Sequence, residues 1–127
     1  MTALVLALVV GCSVDAVPVD PASVTTDDGV YRLQLAVDPS PPTAGEGVSL
    51  VLDIESDGAP AAGLALTVEP WMPAHDHGIT GELVTSDDGE GAYRAEWTFP
   101  MAGLWEVRID VDGDAGVDGA TVAYEVE

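Results

Sequence analysis

The chain has almost no positive charge to offer a phosphate. Lysine and arginine together number 3 against 23 aspartates and glutamates, a formal net charge of -20. Binding to DNA, RNA or anionic lipid depends on basic side chains that neutralise phosphates, so the composition argues against those partners. The same imbalance concentrates cations near the surface and keeps the protein soluble. Cysteine is nearly absent as well: Cys12 is the only one, which excludes an internal disulfide. There are only two histidines, His75 and His77, and both lie in one short segment. No segment shows a convincing helical period, and no apolar run reaches the ~20 residues that a helix needs to cross a bilayer.

What is present suffices for one folded unit. The chain has 127 residues, of which 47% are hydrophobic, enough for a core and against global disorder. Residues 2–10 form an apolar run followed by Gly11 and Cys12. The run is short for a membrane span but suits the apolar region of a signal peptide. Val9-Val10-Gly11-Cys12 resembles a bacterial lipobox, in which the cysteine receives the lipid. No basic residue precedes the run, which leaves open whether Met1 is the true start. The expected organisation is a lipoprotein signal peptide over 1–11, an acylated Cys12 that begins a flexible tether over 12–29, and a folded domain over 30–127. The expected location is extracytoplasmic, lipid-anchored to a bacterial membrane and touching it through that anchor alone.

From Tyr31 onward the sequence alternates with period two, the pattern of a half-buried strand. Tyr31, Leu33, Leu35 and Val37 share one face; Val48, Leu50, Leu52 and Ile54 share the next. Leu64, Leu66 and Val68 follow, then Tyr93, Ala95, Trp97 and Phe99, then Trp105, Val107, Ile109 and Val111, and finally Ala120, Val122, Tyr124 and Val126. A weaker strand is expected over 81–85. Pro39, Pro41 and Pro42 interrupt any ladder. Ser56-Asp57-Gly58, Asp87-Asp88-Gly89 and Asp112-Gly113-Asp114 read as turns. About seven short strands separated by turns predict an all-β, immunoglobulin-like antiparallel β-sandwich.

The chemistry-bearing segment is Trp71-Met72-Pro73-Ala74-His75-Asp76-His77-Gly78. Residues i and i+2 of an extended segment project to one side, ~6.6 Å apart, so two imidazoles can converge on one ion. Met72 adds a soft thioether nearby, which favours copper, Cu(I) above all. Asp76 keeps Cu(II) and zinc open. Against this, His-x-His is a weak motif, and a methionine at a loop edge commonly fills a gap in the core. Other constellations are weaker. Asp110-Val111-Asp112-Gly113-Asp114 starts like a calcium loop, but Ala115 stands where glycine is required and Thr121 where glutamate is required. The serines lie in no nucleophile-elbow pattern. No acid–base groups converge on the histidines, so an enzyme is not expected.

Leu66 to Gly78 resembles the M-P-x-H-x-H-G block of YtkA-like domains, and Gly91 to Val107 is similar to that family's G-x-Y…F-x-M-x-G-x-W block. The resemblance implies an extracytoplasmic β-sandwich, often lipid-anchored, with a role in copper handling or respiratory oxidase assembly. It implies Met72, His75, His77 and Met101 as candidate metal ligands. Asp76 departs from a position that is often small or glycine. Strand direction agrees with Met101. Because successive strands reverse, the 71–78 loop, the 100–103 loop and the Pro-rich 39–46 loop fall at one end of the sandwich, and the N-terminal tether at the other. The expected function is thus a non-catalytic copper carrier or assembly factor that passes its ion to a copper-receiving protein. The alternative is a β-sandwich interaction module without a metal.

Overall fold

The computed structural model describes residues 22–79 and 84–127. The expected signal peptide 1–11, the acylation site Cys12 and residues 12–21 of the expected tether lie outside them. The described residues form strands and turns, with no helix. In chain order the strands are β1 (Ala22–Thr25), β2 (Arg32–Asp38), β3 (Gly47–Ser56), β4 (Ala59–Pro60), β5 (Ala65–Met72), β6 (His77–Gly78), β7 (Val84–Gly89), β8 (Ala92–Thr98), β9 (Gly103–Gly113) and β10 (Gly116–Val126). One sheet has the order β1-β2-β3-β8-β7, with β4 beside β3; the other has the order β10-β9-β5-β6. Every strand pairing is antiparallel. The two sheets pack into an immunoglobulin-like β-sandwich, as the alternation predicts.

The reason is visible strand by strand. In β2 the burial alternates so that Leu33, Leu35 and Val37 turn inward. Val48, Leu50, Leu52 and Ile54 of β3 do the same from the neighbouring strand. Trp105, Val107, Ile109 and Val111 of β9 meet them from the opposite sheet, each fully enclosed. Side chains of this size contribute roughly 1.5–3 kcal/mol each when buried. A one-residue slip in any of these strands would turn its apolar face to water, so the registers are firmly set.

Two expectations need correction. The first concerns the tether. Residues 22–25 form β1, paired with β2 from Ala22↔Leu35 to Thr25↔Arg32. The segment after it is anchored as well: Thr26 is buried and bonds to Tyr31, while the backbone N–H groups of Asp28 and Val30 donate to the Asp118 carboxylate. Polar side chains rather than apolar periodicity hold this stretch, which is why its Pro- and Asp-rich composition reads as linker. The chain therefore turns at the far end of the sandwich and comes back along β2. Ala22 lies level with Leu35, midway along that strand, so the described N-terminus does not emerge at the end opposite the site.

The second concerns the weak strand. Residues 80–83 lie outside the described segments; the described β7, Val84–Gly89, overlaps the expected 81–85 at residues 84–85 and continues past it to Gly89. The turn is displaced. Gly89 pairs with Ala92 across a bulge, leaving Glu90 and Gly91 as the two loop residues, at φ 52° and 83°. Positive φ at both positions suits a two-residue hairpin whose twist matches its strands. A side chain at Gly91 would also meet the Ile54 carbonyl oxygen at 2.9 Å. Asp87-Asp88-Gly89 has the composition of a turn but takes part in the ladder.

Candidate metal centre

The strand pairings bring the predicted loops together. β5 ends beside the start of β9, with Trp71 opposite Glu106. The start of β9 is also where β10 ends, with Gly103 opposite Val126. The 39–46 loop joins the same end through Ala44 N–H to the Glu127 carbonyl (2.7 Å) and Gly45 N–H to the Phe99 carbonyl (2.9 Å). Hence the loops bearing Met72, His75, His77 and Met101 occupy one end of the sandwich, as strand direction requires.

The first loop is a tight hairpin. Met72 pairs with His77 and Trp71 with Gly78, so Pro73, Ala74, His75 and Asp76 form the connection. The N–H groups of His75 and Asp76 both donate to the Met72 carbonyl, at 3.2 and 2.8 Å. Asp76 sits at φ 54°, a left-handed conformation that glycine adopts freely and aspartate tolerates better than most residues. Directly paired residues share a sheet face. Met72 and His77 thus point to the inner face, and Trp71 to the outer one, where it is 41% exposed. Trp71 lies against Gly78, whose missing Cβ would fall 3.5 Å from the indole.

His75 is exposed and His77 half-buried. Their ring centroids are 5.9 Å apart, with planes inclined by 55°. Metal–imidazole nitrogen bonds of about 2 Å place the centroids of two rings sharing an ion up to roughly 6 Å apart, so the observed spacing is compatible with one shared ion. The His77 Nδ1 lies 2.9 Å from the Gly78 carbonyl oxygen. A carbonyl can only accept, so Nδ1 is the donor, and in the neutral ring this leaves the lone pair on Nε2. Such a hydrogen bond to the backbone is the usual way a metal-binding histidine has its ring and tautomer fixed.

The methionines behave differently from each other. Met72 is only 3% exposed, and its Cε methyl would lie 2.5 Å from any Cβ placed on Gly103. Met101 is half-buried and packs against the core. Its carbonyl accepts a hydrogen bond from the Trp105 indole Nε1 at 3.0 Å. The Trp105 ring meets His77 edge-on, with centroids 5.7 Å apart and planes at 74°. The two loops are thus tied through one buried indole. Sequence alternation identifies Trp105 as a core residue but gives no sign of this second contact; its only sequence mark is its position two residues after Gly103.

Among the described residues no group of three or more histidines, cysteines, aspartates or glutamates could hold a metal ion. The donors that the described residues place at this end are the two imidazoles and the thioethers of Met72 and Met101, and thioether favours soft ions. The acidic residues with shifted affinity for protons lie at the other end. Burial alone would raise the Asp118 carboxyl, but hydrogen bonds from Thr26 and from the backbone of Val30, Gly119 and Asp28 outweigh it and hold it below the usual aspartate range. Burial raises the Tyr31 hydroxyl, with help from the charges of Asp112, Asp114 and Asp118. The triad Asp110, Asp112 and Asp114 forms no calcium loop, because Asp110 and Asp112 lie within β9.

No curated protein matches the chain. The YtkA-like family matches residues 25–110, a span that holds both histidines, Met72, Met101 and the strands that bring them together, and the chain belongs to that family.

Proposed function

We propose that this protein is an extracytoplasmic, membrane-tethered copper carrier or assembly factor that holds Cu(I) between Met72, His75, His77 and Met101 and passes it to a copper-receiving protein. The observation that carries the reading is His77: its Nδ1 is committed to the Gly78 carbonyl, its other nitrogen is left for a ligand bond, and His75 lies 5.9 Å away. Copper here is cargo, so the site must be exchangeable. An exposed His75 on a hairpin rim meets that requirement, while buried Met72 and half-buried Met101 supply soft donors from within. Tethering follows from the Val-Val-Gly-Cys12 sequence, and lipid mass on an N-terminal Cys12 peptide would establish it.

An anaerobic competition titration with Cu(I), repeated with zinc, tests the reading. One Cu(I) per chain is expected, bound far more tightly than zinc. His75→Ala/His77→Ala should abolish tight binding while leaving the β-sheet circular dichroism unchanged, because His75 is exposed and His77 only half-buried at the rim. Since deprotonated imidazole is the ligand, copper affinity should also fall as the solution is acidified. Unchanged stoichiometry in the double variant would end the proposal. The alternative, an interaction module without a metal, draws on the burial of Met72 as a plug of the core. It is supported if the wild-type protein binds no copper.

A further inference from the structure

The candidate ligands come from two loops, and a single buried side chain touches both. Trp105 is fully enclosed. Its indole N–H donates to the Met101 carbonyl at 3.0 Å, and its ring edge faces His77 at 5.7 Å. Phe99, on the other side of the 100–102 turn, stacks against the same indole at 5.1 Å. We infer, resting on the copper reading above, that Trp105 is a positioning residue that sets Met101 and His77 relative to each other so that thioether and imidazole meet one ion.

The physical need is clear from the ligand types. A methionine side chain has three rotatable bonds and a weak preference among its rotamers. If its backbone were also free, most of its conformations would carry the sulfur away from the ion. Anchoring the Met101 peptide removes the backbone part of that search, and fixing the His77 ring supplies the fixed partner. Loss of comparable supporting contacts around metal ligands typically lowers affinity 10–100-fold. Trp97 supplies the contrast. It is also buried and stacks edge-on against Phe99 at 5.4 Å, yet its Nε1 has no hydrogen-bond partner. The hydrogen bond at Trp105 is therefore not a general consequence of burying an indole in this core.

The test compares Cu(I) affinity in Trp105→Phe, Trp97→Phe, Met101→Leu and the combination of Trp105→Phe with Met101→Leu, all in the whole chain. Trp105→Phe should weaken Cu(I) roughly tenfold and Trp97→Phe should leave it unchanged, although both remove a buried indole. Because Trp105 acts largely through Met101, its replacement should cost clearly less in the Met101→Leu background than alone. If Trp105→Phe does not fold, benzothienylalanine at position 105 keeps the ring shape and removes only the N–H. Equal losses in the Trp105 and Trp97 variants, or losses at Trp105 and Met101 that simply multiply, would overturn the inference. So would wild-type affinity in Trp105→Phe while Met101→Leu still weakens binding; a wild-type chain that binds no Cu(I) would instead overturn the copper reading itself.

Discussion

Met72 reaches its place because Gly103 has no side chain. A Cβ there would meet the methionine methyl at 2.5 Å, and the glycine holds φ at 130°, where side chains are rarely accommodated. Gly103→Ala should therefore push Met72 off its seat and strain the first residue of β9. Overpacking of this kind costs roughly 1–3 kcal/mol, to be read from urea unfolding, and Cu(I) affinity should fall with it. Gly47→Ala is the control, since nothing lies within 4 Å of its Cβ position; a matching loss there would show that glycine content, not the Met72 contact, sets stability. The four candidate ligands were legible as residues because histidine and methionine are scarce and their segments resemble a known pattern. The supporting groups were not. A hydrogen bond from an indole to a carbonyl, or a methyl over a glycine, leaves no periodic trace; only the paired strands reveal it.

At the scale of elements, legibility follows the source of stability. Strands β2, β3, β8 and β9 bury alternate apolar side chains, and alternation is the signal a sequence carries best. β1 has no comparable apolar face: its burial alternates only between partial and exposed. It is held at its end by the turn from Thr26 to Tyr31 and by Asp118, a residue 88 positions beyond Val30 whose carboxylate binds that turn. No local reading of Pro, Ser, Thr and Asp could find that partner. The arrangement predicts acid sensitivity. The folded-state affinity of Asp118 for protons is lowered, so the unfolded chain takes up the proton more readily. Its contribution is present above the ordinary aspartate value of ~3.9 and is lost as the pH falls through the lower folded-state value. Asp118→Asn should be less stable than wild type at neutral pH and should lose less on acidification from pH ~5 downward. Parallel acid-unfolding curves for the two proteins would mean that other carboxylates set the acid limb.

Over the whole molecule, charge opposes folding as much as it serves solubility. With 23 acidic residues and only 3 basic ones, neighbouring carboxylates repel wherever the sandwich brings them close, as at Asp112, Asp114 and Asp118 near Tyr31. The ion pairs of Arg108 do little to offset this: it bonds Asp27 and Asp110, each at 3.0 Å, but all three side chains are well exposed. Exposed pairs contribute about 0–1 kcal/mol and weaken in salt. Screening should therefore have a definite sign. At ~0.01 M ionic strength the screening length is about 30 Å, comparable with the molecule, so repulsion acts across the entire surface. At ~0.15 M it shrinks to about 8 Å, and only near neighbours still feel one another. The compact folded state gains more from this than the expanded unfolded chain. Raising potassium chloride over that range should raise the melting temperature; relief of about 1 kcal/mol corresponds to ~4–8 °C in a domain of this order of size. Chloride is the right anion for the measurement, because sulfate also strengthens apolar burial by its exclusion from the surface. A melting temperature that falls as chloride is added would show that the few ion pairs around Arg108 outweigh the repulsion among the carboxylates.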